Sequence, residues 1–195
     1  MHSLPDDLLT PFQHIGRDMF VTGLTTSHGG NMSVRQGERI LIKRSGAQLG
    51  RLTGDVLVWV CVTEGADDDP RASSDLIVHR AVYKATSAQA VIHAHLRTAT
   101  ALSLSREVIS PIDVTGPLMV GDVPVIDTVY PATPAVADVI GQALQGQPIV
   151  MLRGHGCVST GESLEDAYKR LAVLEEVSDI ILRAHLISLG ISSPL

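Results

Sequence analysis

The sequence predicts an α/β fold in which one sheet is covered by helices on both faces. Three observations lead there. Short β-branched runs bounded by turn-formers alternate irregularly with segments of helical periodicity. Hydrophobic residues make up 45% of the 195 and charged residues 18%, the balance of a chain that buries a full core. The organisation also runs unbroken, without repeat or low-complexity linker, so residues 1–195 are expected to form a single domain.

Taken in order, Thr10-Pro11-Phe12-Gln13 predicts a helix start, with Thr10 as cap, Pro11 in the first turn and Gln13 at the capping-box position. Leu9, Phe12, Ile15 and Met19 follow at helical spacing, and Gly23 supplies the stop. Arg39–Lys43 (RILIK) and Asp55–Val62 (DVLVWVCV) are rich in β-branched residues and predict strands. Gly65–Pro70 (GADDDP) is a polar turn, after which Ser73 and Ser74 open a helix through Leu76, Val78, Val82 and Tyr83. Ala90–Leu96 reads as a strand, Thr133-Pro134 as the cap of a helix ending near Gly146, and Ile149–Leu152 as a short buried strand. Ser163-Leu164-Glu165-Asp166 is a capping box for the last long helix, whose Leu164, Tyr168, Leu171, Leu174 and Ile181 form an apolar stripe.

A net charge of −6 leaves no basic stripe to neutralise phosphates, so nucleic acid is not an expected partner. No apolar run reaches membrane-spanning length, and the start at Met1 lacks the basic residues of a secretory signal. Cys61 and Cys157 are the only cysteines and give no disulfide framework. A soluble cytoplasmic protein, with no membrane partner, is the expectation.

The chemistry concentrates at His93-Ala94-His95. Side chains two apart on a strand share a face, so His93 and His95 point the same way. A third histidine, His155, lies in the glycine-flanked Arg153-Gly154-His155-Gly156. Three protein ligands with one position left open is the arrangement of a catalytic zinc centre, whereas structural zinc is fully enclosed. Three other stretches have the makings of anion cradles. Ser27-His28-Gly29-Gly30-Asn31 lets backbone approach a ligand closely, Ser45-Gly46 ends a strand with a hydroxyl and an N–H, and Ser73-Ser74 precedes a helix N-terminus. Each of these also reads, alone, as an ordinary turn or cap.

In this order, Gly30-Asn31-Met32-Ser33-Val34-Arg35, Ser45-Gly46, Ser73-Ser74-Asp75, His93-Ala94-His95 and Gly154-His155-Gly156 resemble the class II aldolase/adducin family, over roughly residues 8–185. The resemblance implies a three-layer α/β/α sandwich around a mixed, mostly antiparallel sheet. It implies that His93, His95 and His155 bind a divalent metal, with zinc expected and Mn²⁺, Co²⁺ or Fe²⁺ as alternatives. Asn31, Ser45, Gly46, Ser73 and Ser74 match the family's phosphate pocket, with Gly30 allowing close approach and His28 beside it. Asp75 falls where the family places an acidic residue near the metal, normally glutamate in the aldolases, and is the expected catalytic base. The implied activity is aldolase-type C–C cleavage of a small sugar phosphate such as L-fuculose 1-phosphate. The alternatives are a decarboxylase or dehydratase of a sugar phosphate or hydroxy-oxo-acid, and a non-catalytic adducin-like interaction module. A homotetramer is implied as well.

The resemblance has gaps. Aldolases of the family contribute a tyrosine across a subunit interface, from a segment that follows the histidine pair. Here Ser105–Gly121 contains no tyrosine, and its polar candidates are Asp113 and Thr115. Neither the aldolase nor the epimerase set of protonating groups is matched.

Overall fold

A computed structural model describes residues 4–65, 68–128 and 131–191. Ala66 and Asp67 of the expected polar turn lie outside the described residues. The elements run α1 (Asp6–Val21), β1 (Asn31–Gln36), β2 (Arg39–Lys43), β3 (Leu57–Cys61), α2 (Leu76–Ala85), β4 (Ala90–Ala94), α3 (Arg97–Ser103) and β5 (Val108–Ile109). Then follow α4 (Gly116–Met119), β6 (Val123–Ile126), α5 (Pro134–Ala143), β7 (Ile149–Leu152), β8 (Gly156–Gly161) and α6 (Leu164–Ser188). Among the described residues the strands form one sheet in the order β3-β2-β1-β4-β8-β7-β6-β5. Every neighbouring pair is antiparallel except β6 with β7.

Two hydrophobic clusters make the expected three layers. Helices α1, α3 and α6 cover one face, packing Phe12, Met19, Leu171 and Leu174 against Met32, Ile92, Met151 and Cys157. Helices α2 and α5 cover the other, packing Val82 and Ile140 against Ile40, Ile42, Val91, Val150 and Val158. Alternation along the strands divides the side chains: Ile92 and Ala94 go to the first layer, Val91 and His93 to the second. A fully buried Leu or Ile on either face contributes about 1.5–3 kcal/mol relative to leaving it in water.

Several expected boundaries move. Helix α1 begins at Asp6, not Thr10, because Pro5 presets the entry dihedral and Asp6 and Asp7 complement the first turn. Pro11 therefore lies inside the helix on its exposed face, where the carbonyl it leaves unpaired can meet water. Gly23, at φ 77°, closes the helix as expected. Strand β4 stops at Ala94, short of His95, because its ladder with β8 ends at the Ala94–Cys157 pair and β1 begins opposite His93. Helix α2 starts at Leu76, later than Ser73-Ser74, since residues 71–73 are still held to β2: Ser73 N–H donates to the Lys43 carbonyl at 3.1 Å. Ser163 caps α6 as expected, its Oγ accepting from Asp166 N–H at 3.2 Å, and Thr133 caps α5 likewise.

Candidate active site

Three strands deliver the histidines. His93 stands on β4 directly opposite Asn31 of β1, and His95 follows where the chain leaves the sheet. His155 sits in the tight turn joining β7 to β8, its N–H donating to the Leu152 carbonyl at 3.0 Å. Two glycines make this approach feasible. Gly30 holds φ at 72°, and a Cβ there would lie 2.7 Å from the His93 carbonyl oxygen. At Gly156 a Cβ would lie 2.3 Å from the Ala94 carbonyl oxygen. Arg153 pins the turn itself: it pairs with Asp127, donates to the Ser103 carbonyl at 2.6 Å and reaches Glu107 at 2.8 Å. Arg153 thus fixes the loop.

The three rings converge. Their centroids are 4.8, 4.8 and 5.1 Å apart, and one donor nitrogen from each lies within 4.8 Å of the others. His93 Nε2 is 3.1 Å from His95 Nε2. Two nitrogens bound tetrahedrally to zinc are about 3.3 Å apart at the usual bond length, so this pair already has ligand spacing. The second nitrogen of His93 is committed, because Nδ1 donates to the Cys157 carbonyl at 2.9 Å. That bond sets the tautomer and leaves Nε2 as the ligand atom. Burial pushes all three imidazoles below the ordinary histidine range, so they are neutral donors at physiological pH. The donor set therefore fits a divalent metal.

In front of the histidines opens a cleft of about 570 Å³, within the range of small-ligand sites. The structure brings to it every residue expected from the sequence: His28, Gly30, Asn31, Ser45, Gly46, Ser73, Ser74, Asp75, His95 and His155, while His93 lines the recess behind. The Ser45 and Ser73 segments meet because Ser45 N–H donates to the Arg71 carbonyl at 2.8 Å, and Arg44 bridges to Ala72. Asp75 is the N-cap of α2 by position, yet its side chain makes no capping bond. Its Oδ2 instead accepts from Asn31 Nδ2 at 2.6 Å. Exposed His28 lies at the rim, near Gln48 and Ser27.

Two residues in or beside the cleft were not singled out from the sequence as site residues. Lys43 lines the cleft, is 2% exposed, and donates from its ammonium to the Ala47 carbonyl at 2.8 Å. Burial lowers its pKa while the Asp75 charge opposes the shift. Its signal was the lysine that closes the Arg39–Lys43 strand, two residues before Ser45-Gly46. His79 is completely buried behind Asn31, with burial lowering its pKa to about 4. Asp113 behaves differently. Its Oδ2 accepts from Thr115 and Gly116 N–H groups, each at 2.9 Å, at the start of α4, and within this chain neither Asp113 nor Thr115 lines the cleft.

A model of the class II aldolase and adducin N-terminal domain matches residues 12–182. The chain belongs to the class II aldolase/adducin family. The structure of an L-fuculose-1-phosphate aldolase from Thermus thermophilus is similar over 98% of this chain and 100% of that one, with a TM-score of 0.90 and 34% identity. A probable bifunctional methylthioribose-1-phosphate isomerase/methylthioribulose-1-phosphate dehydratase from Nocardia farcinica is 31% identical over 86% of this chain. The chain spans only 34% of that protein's length. A 3-oxo-tetronate 4-phosphate decarboxylase from Haemophilus influenzae is 30% identical, over 85% of this chain and 82% of its own length. The three-histidine cluster places this chain among the family's metal-dependent lyases.

Proposed function

We propose that the protein is an aldolase-type lyase cleaving a C–C bond in a small phosphorylated ketose such as L-fuculose 1-phosphate. The observation that carries this reading is the convergence, in one cleft, of three imidazoles, the Asp75 carboxylate, and the Ser45–Gly46 and Ser73–Ser74 segments beside a buried ammonium. His93, His95 and His155 would hold the divalent ion, zinc in this proposal. When bound, it supplies Lewis-acid withdrawal of electron density from the substrate's carbonyl and adjacent hydroxyl oxygens, where negative charge develops as the bond breaks.

The chain's own groups do the rest. The backbone N–H groups and hydroxyls of Ser45–Gly46 and Ser73–Ser74 receive the phosphate, with Asn31 and Gly30 forming the floor and Lys43 offsetting its charge. Asp75 takes the proton from the hydroxyl on the carbon that becomes the aldehyde. The electron pair of the broken C–C bond passes to the ketose fragment, and a proton returned to that carbon completes dihydroxyacetone phosphate. His28 stands at the mouth, near the incoming substrate. Assembly as a homotetramer belongs to the same reading. The experiment is a coupled assay of zinc-loaded protein that scores dihydroxyacetone phosphate release from L-fuculose 1-phosphate. Likeness to the Haemophilus influenzae decarboxylase favours a second reading, CO₂ release from 3-oxo-tetronate 4-phosphate, to be scored in parallel. Aldehyde release supports the first reading; CO₂ release without it replaces that reading with the second.

A further inference from the structure

Strand β1 and helix α2 meet along a line of polar side chains that lies behind the cleft. Asn31 and Ser33 stand two apart on β1, so both face α2. Asp75, His79 and Tyr83 stand four apart at the start of α2 and along it, so all three face β1. Hydrogen bonds join the two rows. Tyr83 Oη lies 2.8 Å from Ser33 Oγ and 3.0 Å from the Ser33 carbonyl. Ser33 Oγ lies 2.7 Å from His79 Nδ1, and His79 Nε2 lies 2.5 Å from Asn31 Oδ1. Asn31 Nδ2 then reaches Asp75 Oδ2 at 2.6 Å. Ser33 and His79 are completely buried and Tyr83 almost so, which makes any unmatched donor or acceptor here costly.

With the buried His79 imidazole neutral, only one arrangement of hydrogens satisfies every member. A carboxylate accepts and cannot donate, so Asn31 must turn its NH₂ to Asp75 and its carbonyl to His79. That carbonyl needs a donor, which puts the imidazole proton on Nε2. Nδ1 is then bare and accepts from the Ser33 hydroxyl, and the Tyr83 hydroxyl donates to Ser33. Every donor in the chain points toward Asp75. The other tautomer would call for the Asn31 NH₂ at His79 and would set the Asn31 carbonyl against the carboxylate.

We propose that His79 is a positioning residue for Asp75. Its Nε2–H tautomer, set from behind by Ser33 and Tyr83, holds the Asn31 amide in the orientation that donates to Asp75 and so fixes the carboxylate in the cleft. The role rests on reading Asp75 as the base. It gives a histidine that never meets substrate a direct hold on the proton-transfer geometry, across strand, helix and amide.

Two measurements test it. Nitrogen-15 NMR of the zinc-loaded full chain at neutral pH reads the His79 tautomer without reference to any substrate. Neutral Nε2–H is expected; an Nδ1–H or doubly protonated ring overturns the proposal. The second compares zinc-loaded His79→Leu with His79→Gln, whose amide NH₂ can stand where Nε2–H stood. His79→Leu should lower kcat for L-fuculose 1-phosphate about tenfold or more, part of the 10²–10⁴ that losing the base itself would cost, with KM and zinc content held. His79→Gln should recover most of that loss. Equal losses in both variants, or none in either, overturn the proposal. Should His79→Leu fail to fold, Ser33→Ala deletes only the hydroxyl behind Nδ1; a lower kcat at full zinc content supports the relay and an unchanged kcat overturns it. The expected tautomer in a wild-type protein that cleaves no phosphorylated ketose supports the relay and counts against the proposed reaction.

Discussion

Asp75 separates a base from a helix-start charge more sharply than any other residue here. It occupies the N-cap of α2 without capping it, and its carboxylate is held by Asn31 in the cleft. Asp75→Asn keeps the size and one acceptor oxygen. We expect kcat to fall by about two orders of magnitude or more while the melting temperature barely moves, since a helix-terminus charge is worth only about 0.3–1 kcal/mol. A near-normal kcat with metal bound would sink the mechanism. His79 carries a pH prediction. Burial lowers its folded pKa to about 4 from the ordinary histidine value of 6.5, so between those values the unfolded chain binds the extra proton. Stability should therefore decline as pH falls from 6.5 toward 4, with this residue adding at most about 1.4 kcal/mol per pH unit to the slope. Urea titrations of metal-free protein should show a shallower decline in His79→Gln; identical slopes would contradict the assignment. At this scale the His93–His95 pair was legible because the spacing of two residues in an extended segment is local, and His155 was marked by its flanking glycines. The partnership of His79 with Asn31 was not, because 48 residues separate them in sequence and only the docking of α2 on β1 brings them together.

At the scale of elements, the strands the sequence reading found were β2, β3, β4 and β7, each built around an apolar run. Strands β1 and β8 escaped it because they carry Asn31, Ser33, Ser159 and Thr160 at buried positions, which breaks the apolar runs that mark a strand. The polar residues that hid those strands are in part the ones that build the site. Helix α3 was missed for its shortness, and it is held from a distance. Glu175 on α6 accepts from the N–H groups of Thr98 and Ala99 at 2.9 and 3.0 Å, anchoring the turn that begins two residues after His95. Glu175→Ala should cost about 1–3 kcal/mol in urea unfolding, through two orphaned donors at a partly buried helix end. It should also weaken zinc binding by loosening His95. A variant with wild-type stability would show that α3 needs no such anchor. On the cleft side, Ser74→Glu sets a like charge where phosphate is expected. It should raise KM for a phosphorylated ketose strongly, and unchanged kinetics would point to an unphosphorylated substrate.

The whole molecule shows apolar surface on the segment between α3 and β6. Ile112, Val114 and Leu118 are 60%, 89% and 85% exposed, close together in sequence. Covered by a second copy of the chain, this surface would account for the tetramer that the family resemblance implies. Light scattering should then give a mass well above the 20.7 kDa of one chain, and Leu118→Asp should lower it. A wild-type protein that runs as a monomer would remove that assembly. The resemblance carried the sandwich and the mostly antiparallel sheet, whereas the sequence alone yielded only a sheet covered on both faces, because strand order depends on pairings far apart in the chain. The central claim concerns the metal, and metal content per chain tests it most directly. Wild-type protein saturated with zinc and then desalted should retain one ion per chain. His95→Ala, with two imidazoles left on an open site, should retain almost none. Full occupancy in that variant would contradict the three-histidine centre on which the account of this lyase depends.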